Sequence, residues 1–520
     1  MRWLYFAASA LLPLAAHAQN VTGKWTGSAS RYDNGIEITV ALEQAAGGSI
    51  TGYVEGPRSN DRITSGKLEN GKLTLEAERA GRGGQMMHVT YTAEISGTKM
   101  TLTMPQMTFG GRAGGRGQQA PPRPPQVFEL SRVSSKFPGP PPEPAPRVSL
   151  PMPEPVRTEL ARTPPMGWNS WNKFAGQVTD AMVREMADAI VSSGMRDAGY
   201  IYVNIDDTWE GAHRDSHGNI TTNNKFPDMK KLADYIHSKG LKLGIYSSPG
   251  PKTCAGYLGS YQHEEQDAKT YAAWGIDYLK YDWCSAAQVY ENNQATMAAA
   301  YAKMGLALLR SGRPIVYSLC QYGNLDVGEW GERVGGNLWR TTGDIRDDWQ
   351  SMSHIGFDLQ PGREKYAYPG HWNDPDMLEI GNGHMTDTEY QTHMTLWCIL
   401  AAPLLAGNDI RSMSPSIAAI LMNKELIAVD QDRLGRQGVR VAKDGDLEVW
   451  AKPLADGAYA VGLFNRGPAA ARVTAKWSDI GISGSHPVRD LWKHEDLGSI
   501  AGSYSAEVPS HGVVAIKVAQ

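Results

Sequence analysis

Tyr278-Leu279-Lys280-Tyr281-Asp282-Trp283-Cys284 decides the fold. Tyr278 to Tyr281 reads as a short buried strand that stops at a carboxylate. Side chains alternate along a strand with period two, so Lys280 points to the same side as Asp282. In a chain that alternates strands and helices, an Asp at a strand's C-terminal end is where barrel enzymes keep catalytic groups. A second such carboxylate, Asp344, closes Leu338-Trp339-Arg340-Thr341-Thr342-Gly343-Asp344. Two carboxylates at the mouth of one barrel suit glycoside hydrolysis. An Asp after a strand can also be a helix N-cap, and it is the pair of motifs that argues for chemistry.

Outward from this segment, residues 163 to about 435 repeat the unit strand, loop, helix. Strands are predicted over Tyr200–Ile205, Leu241–Tyr246, Asp277–Tyr281 and Pro314–Leu319. Helices are predicted over Asp180–Ser193, Met229–Lys239, Glu264–Trp274 and Ala295–Ser311. Such spacing implies a parallel sheet with right-handed crossovers. The length fits one eight-fold barrel, a fold of about 200 to 400 residues. A doubly wound open sheet is the alternative, and the lack of a Gly-rich phosphate loop after a strand counts against it.

Residues 20–133 look all-β, with alternating runs at Ile36–Leu42 and Lys72–Ala77 and a closing strand at Val127–Leu130. Antiparallel barrel and sandwich are both compatible with that pattern. Residues 110–125, Gly/Arg-rich then Pro-rich, read as a mobile hairpin loop, and residues 134–163, with Pro138-Gly139-Pro140-Pro141-Pro142, as an extended linker. Residues 436–520 return to short strands (Leu447–Ala451, Ala458–Phe464, Gly512–Val518) and read as a C-terminal antiparallel β-sandwich. The expected class is thus α/β: a (β/α)8 barrel over 164–435 with a smaller all-β domain on either side.

The chain of 520 residues carries a formal charge of −4, which gives no support for nucleic-acid or anionic-membrane binding. Its 15 Trp and 22 Tyr against 8 Phe offer flat faces with a polar edge, suited to sugar rings, although most of them belong in aromatic cores. Arg2, the apolar run Leu4 to Ala16 and the small-x-small triplet Ala16-His17-Ala18 read as a secretory signal cleaved after Ala18. The run is too short to span a bilayer. The chain is therefore expected to be secreted or periplasmic, which permits disulfides. Of the four Cys, Cys254 and Cys284 lie in adjacent barrel loops and are expected to pair, while Cys320 and Cys398 are expected to be buried free thiols. His213 and His217 have i, i+4 spacing, but their Gly-flanked context reads as a loop, so no metal site is expected.

The motifs Pro165-Met166-Gly167-Trp168-Asn169-Ser170-Trp171, Asn204-Ile205-Asp206-Asp207-Thr208-Trp209, Lys252-Thr253-Cys254-Ala255-Gly256, Tyr278 to Cys284, Trp339 to Asp344 and Trp372-Asn373-Asp374-Pro375-Asp376-Met377 are long and ordered. Through them the chain resembles the family 27 glycoside hydrolases, which include α-galactosidases (melibiases) and α-N-acetylgalactosaminidases, over roughly residues 163 to 518. The resemblance implies a cofactor-free retaining exo-glycosidase acting on terminal α-galactose of oligosaccharides or polysaccharide side chains. It places the nucleophile at Asp282 and the acid/base at Asp344. It also implies a sugar cradle: Asp206 and Asp207 at the 4-OH and 6-OH, Lys280 at the 3-OH and 4-OH, Arg340 facing the 2-OH side, Asp376 lining the pocket, and Trp168 and Tyr246 as wall, Trp168 by stacking. Lys280, two residues from Asp282, is expected to favour the ionised nucleophile.

Two departures from the family pattern stand out. Trp283 occupies a position that is Gly in many members. Cys320-Gln321-Tyr322-Gly323 replaces a Cys-Glu-Trp segment whose Glu contacts the sugar's 2-position. Gln321 can still bond a 2-OH, but with donors and without charge. A β-L-arabinopyranosidase or α-N-acetylgalactosaminidase of the same family therefore stays open, as does a non-catalytic sugar-binding protein, against which the retention of both Asp282 and Asp344 speaks.

Overall fold

The computed structural model describes residues 20–28, 37–56, 60–80, 86–104, 126–140 and 146–519, so the expected signal segment and the 110–125 loop lie outside the described residues. The chain divides into two compact units, Met1–Glu143 and Pro144–Gln520.

The first unit is a closed antiparallel barrel of eight strands: β1 (Gly23–Ser28), β2 (Glu37–Gln44), β3 (Ile50–Glu55), β4 (Asn60–Glu69), β5 (Lys72–Ala80), β6 (Met86–Ser96), β7 (Lys99–Met104) and β8 (Gln126–Ser134). Each strand pairs with the next, and β1 closes on β8. Between barrel and sandwich the structure thus selects the barrel. Alternation sets the inside: Val89, Tyr91, Ala93 and Ile95 of β6 point inward and meet Trp25, Val40, Leu73, Leu75, Leu102 and Leu130. One carboxylate is enclosed with them. Asp61 accepts from the Nε of Arg79 at 2.8 Å and from the hydroxyl of Tyr91, so the buried charge is paired.

The second unit begins with the segment read as a linker. Its second half runs along the large barrel: the Val148 N–H donates to the Val289 carbonyl at 2.8 Å, the Val156 N–H to that of Arg333 at 2.8 Å, and the Leu150 N–H to Thr296 Oγ1 at 3.0 Å. The large barrel has eight parallel strands: β9 (Met166–Asn169), β10 (Tyr202–Asn204), β11 (Lys242–Ser247), β12 (Tyr278–Asp282), β13 (Val316–Cys320), β14 (Leu338–Arg340), β15 (Trp372–Asp374) and β16 (Leu404–Ala406), hydrogen-bonded in the order β15-β14-β13-β12-β11-β10-β9-β16. The curl is completed by Leu378, whose N–H donates to Leu405 and whose carbonyl accepts from Gly407.

Helices α1 (Trp171–Phe174), α2 (Asp180–Ser192), α3 (Met229–Ser238), α4 (Glu264–Trp274), α5 (Gln294–Arg310), α6 (Trp349–Ser353) and α7 (Asp387–Ile399) follow the strands. Thr179, Asp228 and Asn293 cap α2, α3 and α5 by accepting the N–H three residues on, and Thr386 with Glu389 forms a capping box on α7. Gly275, in the left-handed region at φ 89°, ends α4. On the sheet, Gly244 is required by close approach: a Cβ there would lie 2.0 Å from Asn204 Oδ1.

The C-terminal sandwich sets a six-stranded sheet, in the order Val439–Asp444, Leu447–Pro453, Tyr459–Asn465, Val513–Val518, Ser485–Asp490 and Glu495–Ala501, against the pair Ala471–Lys476 and Ser503–Val508. Val449, Val461 and Ile516 from the sheet meet Val473, Ala475 and Val508 from the pair. Its other face continues the barrel's core. Phe357 meets Trp450 and Phe464 edge-on, at 6.1 and 5.1 Å between centroids, and Arg466 bridges Asp358 and Glu448 at 2.7 and 2.9 Å.

Candidate active site

Parallel strands all present their C-terminal ends on one side of the barrel, and the polar residues singled out in the sequence lie there. Trp168 is in β9, Asp206 and Asp207 follow β10, Tyr246 is in β11, and Lys280 and Asp282 are in β12. Gln321 follows β13, Arg340 ends β14, Asp344 lies in the loop after it, and Asp376 follows β15. Three non-glycine residues at or beside these groups hold positive φ: Thr208 (86°), Tyr322 (62°) and Asp376 itself (88°). Backbone strain of that kind persists only where the surroundings fix it, and it gathers at functional sites.

Asp282 is 5 % exposed. Its Oδ2 accepts from the Tyr246 hydroxyl at 3.2 Å, and Tyr322 also hydrogen-bonds to it. Its Oδ1, though buried, has no partner among the described residues. Burial pushes the carboxyl up to about 6; Lys280 and the Tyr322 hydrogen bond work downward, and the charges of Asp344 and Asp206 add to the rise. The expectation that Lys280 favours the ionised Asp282 thus holds in direction, but it does not set the balance. Lys280 Nζ is spent on Asp206 Oδ2, at 2.8 Å, and desolvation outweighs its pull on Asp282. Burial works against the lysine's own charge, but Asp206 and the neighbouring acids hold its pKa well above the usual range.

Asp206 Oδ2 also accepts from Asn169 Nδ2 at 2.9 Å. Asp207 accepts the N–H of Thr208 and of Ala255, both at 2.7 Å; burial still lifts it to about 7. Arg340 is the second cation. Its Nη2 contacts Asp376 Oδ2 at 2.8 Å and Asp344 Oδ1 at 3.1 Å. Asp344 itself is an open group, with its side chain 71 % exposed, whereas Asp376 is enclosed. Gln321 donates to the Arg340 carbonyl at 3.2 Å, and its Oε1 is buried without a partner among the described residues. Trp168 is buried, donating its indole N–H to the Asn408 carbonyl at 2.8 Å and meeting Phe174 at 6.1 Å.

Cys254 and Cys284 form a disulfide next to this centre, and the Tyr246 hydroxyl lies 3.4 Å from Cys284 Sγ. The two sulfurs and Asp282 lie within 4.8 Å of one another, but sulfurs joined to each other leave no thiolate for a metal. Cys320 and Cys398 are free and buried. His213 and His217 sit on an exposed loop. Trp283, unlike the groups above, stacks on Tyr290 and Tyr301, at 6.0 and 5.7 Å.

Sequence reasoning missed two groups. Tyr322 entered only as a neighbour of Gln321, because nothing in its motif shows that a left-handed turn brings its hydroxyl to Asp282. Asp374 is buried and raised to about 6 by that burial, against the pull of Arg340. Its signal was the first carboxylate in Asn373-Asp374-Pro375-Asp376, two residues before Asp376.

A parallel barrel that gathers two candidate catalytic acids, a lysine, an arginine and further carboxylates at its C-terminal mouth defines a glycoside hydrolase. Comparison narrows the class. The family model for α-galactosidase A matches residues 163–432, and the model for the α-galactosidase C-terminal β-sandwich domain matches 444–518. The chain is 52 % identical over 357 residues to the α-galactosidase of Cyamopsis tetragonoloba (68 % of this chain, 85 % of that one), and 47 % identical over 387 residues to α-galactosidase A of Cellvibrio japonicus (69 % and 93 %). The crystal structure of α-galactosidase I from Mortierella vinacea superposes with a TM-score of 0.67 at 40 % identity, covering 69 % of this chain and 97 % of that one. The chain belongs to the α-galactosidase family of glycoside hydrolases, family 27.

Proposed function

We propose that this protein is a retaining α-galactosidase that removes terminal α-D-galactosyl residues from oligosaccharides or polysaccharide side chains. Asp282, ionised, attacks the anomeric carbon; the bond to the leaving oxygen breaks as Asp344 gives that oxygen its proton. A water then loses a proton to Asp344 and displaces Asp282, returning both groups to their starting states. The carrying observation is Oδ1 of Asp282: a buried carboxylate oxygen without a partner among the described residues, in an arrangement where Asp344's charge is felt. Lys280, Asp206, Asp207, Arg340, Asp376, Gln321, Trp168 and Tyr246 make the cradle. Gln321 Oε1, unpartnered, suits a donor such as a 2-OH. Export through the N-terminal segment belongs to the same reading, and the disulfide agrees with an oxidising compartment.

The test is a panel of aryl glycosides (α-galactoside, α-N-acetylgalactosaminide, β-L-arabinopyranoside) with Asp282→Asn and Asp344→Asn. The α-galactoside is expected to be preferred. Hydrolysis should fall by about 10³-fold or more in Asp282→Asn, and in Asp344→Asn by part of the about 10² to 10⁴ that a general acid supplies, less on a good aryl leaving group, while the fold persists. Wild-type rates in both variants would refute the assignment.

A further inference from the structure

A general acid that is mostly exposed has little packing to aim it. Asp344 faces this difficulty: its side chain is 71 % exposed, and its oxygen meets the Arg340 guanidinium at the longer distance of 3.1 Å. A misplacement of about 1 Å at a reacting group can cost about 10²-fold in rate, so the aim must come from the loop's backbone.

That loop is tied on two sides. On one, the Ile345 N–H donates to Asp376 Oδ2 at 2.9 Å, and the Ile345 side chain is buried in the barrel core. On the other stands Asp347, three residues past Asp344, with its side chain only 7 % exposed. Its Oδ1 accepts from the Tyr390 hydroxyl at 2.9 Å and its Oδ2 from the His384 N–H at 2.7 Å. The same Tyr390 oxygen accepts from the Gly383 N–H at 2.8 Å. One carboxylate and one phenol thus lock the loop after β14 to the turn that opens α7. Asp348 then caps α6 by accepting the Ser351 N–H at 2.7 Å.

We infer that Asp347 and Tyr390 are positioning residues for Asp344: they hold the acid's loop against the first turn of α7 so that the exposed carboxyl keeps its direction. Neither touches Asp282, Lys280 or Asp206 through any of these bonds, so their effect falls on the protonated partner of the reaction. The inference rests on the reading of Asp344 as acid/base.

The discriminating measurement is kcat/KM, which reports the chemistry up to the galactosyl-enzyme, across α-galactosides of graded leaving-group strength. A 2,4-dinitrophenolate leaves without a proton; a simple alkoxide does not. In Tyr390→Phe and Asp347→Asn, kcat/KM for a methyl or sugar α-galactoside is expected to fall by about tenfold or more, and by less than about twofold for the dinitrophenyl substrate, part of the about 10² to 10⁴ that a general acid supplies. Asp344→Ala, the control, is expected to show the same dependence more steeply. Tyr390→Phe keeps the ring and so guards against loss of fold, checked by an unfolding midpoint. Equal losses on both substrates, or none, alongside a steep Asp344→Ala profile would overturn the positioning role and leave the acid's assignment standing. A flat Asp344→Ala profile would overturn the assignment, and the inference with it.

Discussion

Asp282 is held by its surroundings in the form that is harder to ionise, with a pKa near 6 instead of 3.8. For catalysis this sets an acid limb: kcat/KM should fall below about pH 6 as the nucleophile gains its proton. Asp344's charge contributes to the rise, so in Asp344→Asn, followed with an activated substrate, the limb should move to lower pH. An unmoved limb would separate the two groups. For stability the sign follows from proton counts. Between 3.8 and about 6 the folded chain keeps a proton that the unfolded chain has lost, so stability falls as pH rises through that window and stays lower above it. Asp282→Asn removes the cost of the buried charge. Its unfolding midpoint should exceed the wild type's at pH 7 and converge with it near pH 4. A midpoint below wild type at pH 7 would mean that the carboxylate's hydrogen bonds from Tyr246 and Tyr322 outweigh its desolvation.

Among the elements, strands β10 and β11 show how closely the frame is fitted. Gly244 faces the Asn204 side chain, and an added methyl would meet it at 2.0 Å. Gly244→Ala should therefore force the strand carrying Tyr246 outward and cost about 1–3 kcal/mol, the range for overpacking, read by chemical denaturation. Unchanged stability would show that Asn204 can turn aside. Legibility in the sequence divided along the same lines. Helices α2 to α5 and strands β11 to β13 are long enough for period and caps to mark them within a residue or two of Asp180–Ser192, Met229–Ser238, Glu264–Trp274 and Gln294–Arg310. Strands β14, β15 and β16 have three residues each and no period to read; motifs at Trp339–Asp344 and Trp372–Met377 marked the first two. The N-terminal strands alternated clearly, but alternation is common to barrels and sandwiches, and closure depends on β1 meeting β8, which no local pattern encodes. At the site, residue types and loops were legible, whereas partners were not: that Lys280 turns to Asp206, and that Tyr322 reaches Asp282, are facts of three-dimensional approach.

Across the whole molecule, the division after Glu143 leaves the β-barrel of residues 20–134 with its own core, while the extended stretch that follows belongs to the catalytic unit. A chain beginning at Pro144 is expected to keep its kcat/KM on an aryl α-galactoside. One beginning at Arg157 lacks the backbone bonds of Val148, Leu150 and Val156 and should lose about 2–4 kcal/mol, at about 1 kcal/mol per hydrogen bond with some apolar burial. Equal melting of the two chains would show that the stretch is only a tether. The contact of Phe357 with Trp450 and Phe464, and of Arg466 with Asp358, bears on a different matter. Remove the terminal sheets, and the catalytic barrel would show solvent a greasy flank and a carboxylate that has lost its arginine. Anyone transplanting this active site into another protein must carry its tail along, for the two halves are inherited as a single solid.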